Sequence, residues 1–565
     1  MSDYMNRYEE WLENDFFDEE TTRELEAIRG NEEEIKDRFY SELNFGTAGL
    51  RGKIGAGTNR MNKYIVMRVT QGLAEVIKGH SKEAMHRGVA IAYDCRHFSE
   101  LFAKTAALVL AQNGIKAYLF DSLRPTPVLS FAVRYLNTIS GIVVTASHNP
   151  KEYNGYKVYW EEGSQILDDI AIPIQEKIAQ IEDFSDIKLM DENEALESQM
   201  LVYIGKTIDD EYIQRVKSLT LRDKGIKKDI SICYSPLNGT GNIPVRRVLK
   251  ERGFENVHVV PEQEKPDPDF TTVGYPNPED TRAFEYAIKL GKEVNADILI
   301  ATDPDCDRIG IMVKDAHEYT PLNGNQMGAV LIKYILEALD EKGQIPENGV
   351  IVKSIVTGDL GKKIAVKYGV ETIDSLTGFK NICGKENEFE KTGEYQFIFG
   401  YEESIGFVYG TFVRDKDAVI TAMLLAEAAA YYATKGKTLL DVLESIYAQV
   451  GYTSEGPFSL VLDGVQGQKR IERMMVHIRQ NPPREAAGKA VVDVIDFMTQ
   501  DKIDVGQTNA LKYVLEDDSW FAVRPSGTEP KIKVYVYTNG NDKSESDEKA
   551  MAIQKDIRKL LETVA

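Results

Sequence analysis

Three aspartates at alternate positions, in Asp303-Pro304-Asp305-Cys306-Asp307-Arg308, put three carboxylates in one short loop directly after the apolar run Asp297 to Ala301. Hard oxygen ligands at that density suit a divalent cation, and the fixed φ of Pro304 lowers the entropy lost on ordering the loop. A solvated acidic turn is the alternative, but carboxylates this close repel one another unless a cation lies between them. The calcium loop of an EF-hand begins similarly, yet Arg308 stands where its glycine belongs and Lys314 where its closing glutamate belongs. Mg2+ fits best, because it takes few protein ligands and completes its shell with phosphate oxygens and water.

A second segment, Thr145-Ala146-Ser147-His148-Asn149-Pro150, follows the apolar run Gly141 to Thr145. A serine at the end of a strand in an open α/β sheet points toward the usual ligand crevice. A serine that merely caps the following turn is one alternative. A hydrolase nucleophile is another, but the Gly-x-Ser-x-Gly elbow is missing and His148, as immediate neighbour, is poorly placed as its base. The segment alone does not decide.

Arg524-Pro525-Ser526-Gly527-Thr528-Glu529-Pro530-Lys531 joins two predicted strands and combines a guanidinium, two hydroxyls and a glycine, the ingredients of a phosphate cradle. It lacks the Gly-Lys-Ser/Thr ending of a Walker loop, and turn chemistry alone would also account for Pro525, Gly527 and Pro530. Gly400-Tyr401-Glu402-Glu403-Ser404-Ile405-Gly406 ends a strand with acceptors suited to sugar hydroxyls, or is a solvated acidic turn between glycines. Gly46-Thr47-Ala48-Gly49-Leu50-Arg51-Gly52 is a further glycine-rich turn carrying an arginine; Arg60 stands where a dinucleotide fingerprint starting at Gly55 needs its third glycine.

These loops need a scaffold, and the sequence predicts one. Apolar runs at Val89 to Tyr93, Lys116 to Phe120 and Gly141 to Thr145 alternate with helical patterns at Leu101 to Gln112 and Val128 to Leu136. The rhythm returns from Ile230 to Ala301, and again from Gly349 to Phe399. After a helical stretch at Val419 to Tyr432, the end reads as strands Trp520 to Val523 and Lys531 to Tyr537 and a helix Glu548 to Glu562. The expectation is an α/β protein: three similar α/β domains with mixed, largely parallel sheets plus a smaller C-terminal α+β domain around a central cleft. The expected domains are 1–205, 206–318, 319–450 and 451–565, bearing the serine, aspartate, Glu402 and Arg524 loops in turn.

A net charge of -22 opposes association with nucleic acid or an anionic membrane, so an anionic ligand must be held by local cations. Cys95, Cys233, Cys306 and Cys383 stand singly, without zinc-site spacing or the density of a disulfide scaffold. The acidic, helix-like stretch Met1 to Phe17 is unlike a signal peptide, and the most apolar helical stretch is broken by Glu427. A cytoplasmic protein is expected; nothing in the sequence separates a monomer from a homodimer.

In this order, from Gly46 through Lys533, the segments resemble the α-D-phosphohexomutase superfamily, the phosphoglucomutases and phosphomannomutases. The resemblance implies an intramolecular phosphotransferase of the isomerase class, with Ser147 phosphorylated and Mg2+ bridging it to Asp303, Asp305 and Asp307. It implies that Arg51, Arg308 and Lys157 neutralise the transferring phosphoryl group, a role suited to the charge that spreads over its oxygens, while His148 orients it. It further implies sugar binding by Glu402 and Ser404, and phosphate binding by Arg524, Ser526, Gly527 and Thr528. Ile405, Gly406 and Phe407 stand where many phosphomannomutases carry a histidine after the sugar loop. Lys380, in Thr377-Gly378-Phe379-Lys380, matches the lysine of the phosphoglucomutase version and is the candidate base, with Thr377 and Gly378 at the substrate. The Tyr-Glu-Glu-Ser-Ile-Gly loop looks most like the branch of bacterial α-phosphoglucomutases and phosphopentomutases. The expected reaction interconverts glucose 1-phosphate and glucose 6-phosphate through glucose 1,6-bisphosphate, which is intermediate and activator. A phosphopentomutase, a phosphomannomutase and a non-catalytic sugar-phosphate-binding regulator are the alternatives.

Overall fold

The computed structural model describes residues 3–46, 49–462, 464–499, 505–526 and 531–564. The chain divides into two compact units. The first comprises Met1–Asn323, Glu386–Lys391 and Ser404–Gly436, and the second Gly324–Lys385, Thr392–Glu403 and Lys437–Ala565.

The first unit contains a six-stranded sheet of β1 (Gly49–Lys53), β2 (Val89–Tyr93), β3 (Ala117–Phe120), β4 (Ser140–Val144), β5 (Tyr153–Trp160) and β6 (Leu201–Ile204), in the order β1-β5-β4-β2-β3-β6. Strands β2, β3, β4 and β6 are parallel, as the alternation with helices predicts. Every residue of β2 and β4 is buried, which a parallel sheet covered on both faces requires. The rhythm did not predict β1 and β5, which add antiparallel to the β4 edge. Their register sets Gly49 opposite Lys157 and Arg51 opposite Gly155, so the two cations share one edge of the sheet. Gly155 leaves room for the chain crossing there: a Cβ would lie 2.5 Å from the Thr145 carbonyl oxygen and 2.9 Å from that of Leu50.

The second sheet of this unit holds β7 (Ile232–Ser235), β8 (Val257–Val259), β9 (Ile298–Thr302), β10 (Ile309–Asp315) and β11 (Glu318–Leu322), in the order β11-β10-β9-β7-β8. Strands β7, β8 and β9 are parallel, and β10 turns back antiparallel to β9. The helix Ala418–Thr434 is apolar on nearly every side and correspondingly buried. Its one acid, Glu427, is paired: it accepts from Arg252 Nη2 at 2.6 Å and from the Leu221 and Arg222 amides at 3.0 and 2.7 Å.

The second unit contains a parallel sheet of β12 (Gly349–Ser354), β13 (Glu371–Ser375) and β14 (Gln396–Glu402), with β12 central. It also contains a seven-stranded antiparallel sheet that includes Trp520–Pro525 and Lys531–Gly540. Tyr513, Phe521, Val534, Ile553 and Ile557 form part of its core under the helices Gly464–Gln480 and Lys543–Glu562. The last helix starts five residues before its predicted start because Asp542 caps it, accepting from the Glu545 amide at 2.9 Å. Among the described residues, no helix is long and apolar enough to cross a membrane. All four cysteines are free thiols.

Candidate active site

The aspartate loop is the turn between β9 and β10, two antiparallel neighbours, so its carboxylates are fixed at one end of the second sheet. One ligand oxygen from each of Asp303, Asp305 and Asp307 lies within 4.8 Å of the others, and all three side chains are buried. Asp303 Oδ1 accepts from the amides of Asp307 and Arg308 at 3.1 and 3.0 Å. Asp305 Oδ2 accepts from Lys157 Nζ and Thr126 Oγ1, each at 2.8 Å. Asp307 Oδ2 lies 3.5 Å from Lys157 Nζ and 3.2 Å from Lys416 Nζ. Asp305 Oδ1 and Asp307 Oδ1 are buried without a hydrogen-bond partner. Buried carboxylate oxygens without partners are costly, and a hard cation satisfies them, so this donor set fits a divalent metal.

The charges follow the same geometry. Burial, and then the neighbouring charges of Asp305 and Asp307, push the Asp303 carboxyl well above the usual carboxylate range. Burial also acts on Asp305, but the Lys157 ammonium outweighs it and holds that carboxyl below its ordinary value. Burial would discharge Lys157; Asp305 and Asp307 instead raise its pKa and keep it cationic.

Ser147 leaves the end of β4 with φ of 53°, a left-handed conformation in a residue other than glycine. Its Oγ donates to Asp303 Oδ2 at 2.8 Å, so the hydroxyl stands at the acidic cluster. The side chain is 3% exposed, yet it faces the carboxylates and not the apolar core. His148, the immediate neighbour, reaches the same cluster: Nδ1 lies 3.2 Å from Ser147 Oγ and 3.8 Å from Asp303 Oδ2. The left-handed backbone at Ser147 turns both side chains to the same side of the loop. Burial, then the charges of Arg308 and Arg51, hold the imidazole pKa well below its ordinary value, so the ring is neutral. Tyr275 packs edge-on against that ring at 5.9 Å.

Arg51 on β1 donates to Asn149 Oδ1 at 3.1 Å, beside the serine. Arg308 donates to the Ser404 carbonyl oxygen at 3.0 Å. The first unit thus gathers Ser147, His148, the three aspartates, Lys157, Arg51, Arg308 and Ser404. Thr377, Gly378, Lys380, Glu402, Arg524 and Ser526 belong to the second unit. There the Gly378 amide donates to Glu402 Oε1 at 2.9 Å, joining the turn before the helix Phe379–Thr392 to the end of β14. Lys380 is half-buried in the first turn of that helix. The Ser526 amide donates to the Lys531 carbonyl oxygen at 2.8 Å across the phosphate-type loop, while Gly527 and Thr528 lie outside the described residues.

Sequence reasoning missed Thr126 and Lys416. Lys416 lies in Arg414-Asp415-Lys416-Asp417, a charged run directly before the most apolar helix of the chain, and that contrast was the available signal. Asp415 Oδ1 holds the Lys416 ammonium at 2.9 Å, and Tyr159 donates to Asp415 Oδ2 at 2.7 Å.

Comparison with known proteins identifies the family. The chain matches four families described as Phosphoglucomutase/phosphomannomutase: alpha/beta/alpha domain I over residues 42–184, alpha/beta/alpha domain II over 210–316, alpha/beta/alpha domain III over 323–450, and the C-terminal domain over 478–560. A Staphylococcus aureus protein named phosphoglucomutase is 40% identical over 518 residues, covering 89% of this chain and 91% of the relative. Its namesake from Staphylococcus haemolyticus is 38% identical over 512 residues, with 89% and 91% covered. Among solved structures, the open form of the phosphoglucomutase parafusin from Paramecium superposes with a TM-score of 0.70 at 20% identity, covering 93% of this chain and 95% of its own. A phosphoglucomutase/phosphomannomutase family protein from Burkholderia thailandensis gives 0.67 at 19%, with 93% and 98% covered. With four domain matches in order and relatives this similar along most of its length, the chain belongs to the phosphoglucomutase/phosphomannomutase family of phosphotransferring isomerases.

Proposed function

We propose that this chain interconverts glucose 1-phosphate and glucose 6-phosphate, with Ser147 carrying the phosphoryl group and glucose 1,6-bisphosphate as the intermediate and activator. The observation that carries the reading is the 2.8 Å contact between Ser147 Oγ and Asp303, beside one oxygen each of Asp305 and Asp307 that accepts no hydrogen bond. The glucose substrate rests on the relatives named phosphoglucomutase.

In this reading Asp303, Asp305 and Asp307 hold Mg2+, which when bound supplies positive charge to the phosphoryl oxygens. The sugar hydroxyl attacks phosphorus as the bond to Ser147 Oγ breaks, and the serine oxygen takes up a proton from solvent, leaving the bisphosphate and the free serine hydroxyl. The second half-reaction returns the other phosphate to the serine. Neutral His148, next to Ser147 Oγ, is suited to orient the phosphate by hydrogen bonding. Arg51 and Arg308 supply further positive charge near the transferring group. Lys157 adds its charge but is held protonated by Asp305 and Asp307. The hydroxyl proton is assigned to Lys380 because its motif matches that of the phosphoglucomutases. On the second unit, Glu402 with Thr377 and Gly378 is assigned to sugar hydroxyls, as is Ser404 on the first. Arg524, Ser526, Gly527 and Thr528 are assigned to the phosphate not in transfer. The four expected domains, bounded near residues 205, 318 and 450, each carry one of these loops, and the free thiols accord with a cytoplasmic enzyme.

A coupled assay for glucose 6-phosphate formation from glucose 1-phosphate, with Mg2+ and a trace of bisphosphate, tests the proposal. The protein should be active and Ser147→Ala inactive. Full activity of Ser147→Ala would overturn it.

A further inference from the structure

The loop that carries Ser147 is held by a buried charged bracket in the loop that follows the neighbouring strand β2, and no role described so far uses it. Arg96, whose side chain is fully buried, sends its guanidinium to four main-chain carbonyl oxygens of this loop and its exit. Nη2 donates to Ser147 at 2.6 Å and to Asn149 at 2.5 Å, and Nη1 to Pro150 at 2.9 Å and Tyr153 at 3.1 Å. The ring of Phe270 lies 5.0 Å from the guanidinium carbon, and Asp94 Oδ2 pairs with Nε at 3.2 Å. Asp94 closes the bracket from the other side: its Oδ2 accepts from Thr145 Oγ1 at 2.6 Å, and Thr145 Oγ1 accepts from the Ser147 amide at 2.9 Å. Its Oδ1 accepts from the Arg96 amide and from Ser99 Oγ, at 2.9 and 2.8 Å.

The carbonyl of Ser147 is thereby fixed to Arg96, and its amide to the Thr145 hydroxyl that Asp94 anchors. That matters because the serine sits at φ of 53°, a conformation an L-residue keeps only where its surroundings over-determine it. Only a planar fork reaches four carbonyls at once, which a lysine ammonium cannot reproduce.

We propose that Arg96, Asp94 and Thr145 are positioning residues for phosphoryl transfer, holding Ser147 Oγ in line with the incoming hydroxyl. This rests on the phosphomutase reading above. In-line transfer is sensitive to misplacement on the scale of an ångström, which can cost about 100-fold in rate. Asp305 and Asp307 are held independently of the bracket by Thr126, Lys157 and Lys416.

The test compares Arg96→Lys, Thr145→Val and Thr145→Ser with the parent by kcat and KM for glucose 1-phosphate and by thermal unfolding. Arg96→Lys should lose about 100-fold and Thr145→Val about tenfold in kcat, with KM within about twofold of the parent. Thr145→Ser keeps the hydroxyl relay and should retain parent kcat. Because Thr145→Val is nearly isosteric, it remains decisive if Arg96→Lys does not fold. Parent-like kcat in Thr145→Val, or an equal loss in Thr145→Ser, would overturn the positioning role while leaving the mutase reading intact. A parent carrying no phosphate on Ser147 would overturn the mutase reading and this role together.

Discussion

Replacing Lys157 by methionine tests the electrostatic logic of the acidic cluster. The ammonium sits 2.8 Å from Asp305 Oδ2 and 3.5 Å from Asp307 Oδ2, with all three side chains buried or nearly so. At an effective dielectric of about 20, the contact with Asp305 is worth roughly 6 kcal/mol of Coulomb energy, part of which offsets the desolvation of both groups. Breaking such a pair by removing one member leaves an uncompensated buried charge and typically costs about 3–5 kcal/mol. In chelator, the first unit of Lys157→Met should therefore unfold at a temperature lower by roughly 5 °C, and calorimetry reads this directly. Loss of the cation also leaves the cluster more negative, so Mn2+ should bind about tenfold more tightly and restore much of the lost stability. A variant as stable as the parent in chelator, with unchanged Mn2+ affinity, would refute the claim that Lys157 balances these carboxylates.

Lys512 is buried in the second unit, 3.9 Å from the Trp520 ring centroid, and burial followed by the charge of Lys353 brings its pKa down to about 8. Above that pH the native protein gives up a proton that the unfolded chain keeps until near 10.5, so stability should rise between these values by up to about 3 kcal/mol. Denaturant titrations across that range should show the rise in the parent and not in Lys512→Met; a flat parent profile would count against it. Glu427→Gln should cost about 2–3 kcal/mol, because Arg252 loses its buried partner at 2.6 Å and keeps only the more exposed Asp223. Urea unfolding of the variant at parent stability would contradict that pairing.

The parallel strands and the chemical loops were legible because each is local: β2 and β4 are unbroken apolar runs, and the three aspartates fall within five residues. Strand β5 was not legible. Its Asn154 and Gly155 read as turn residues, and its burial does not alternate because both faces are covered. It is a strand because it pairs with β4 on one side and on the other with β1, about a hundred residues earlier, and no local pattern reports the register with β1. The supporting residues were hidden for the same reason. Thr126 meets Asp305 across 179 positions, and Arg96 meets Ser147 across 51, so each reads alone as an ordinary polar residue beside a strand or helix.

The most direct measurement follows a labelled phosphate. On incubation with glucose 1-phosphate carrying 32P, the label should appear on the peptide containing Ser147 and leave it when unlabelled glucose 6-phosphate is added in excess. Product formed at full rate with no label ever on Ser147 would contradict the account.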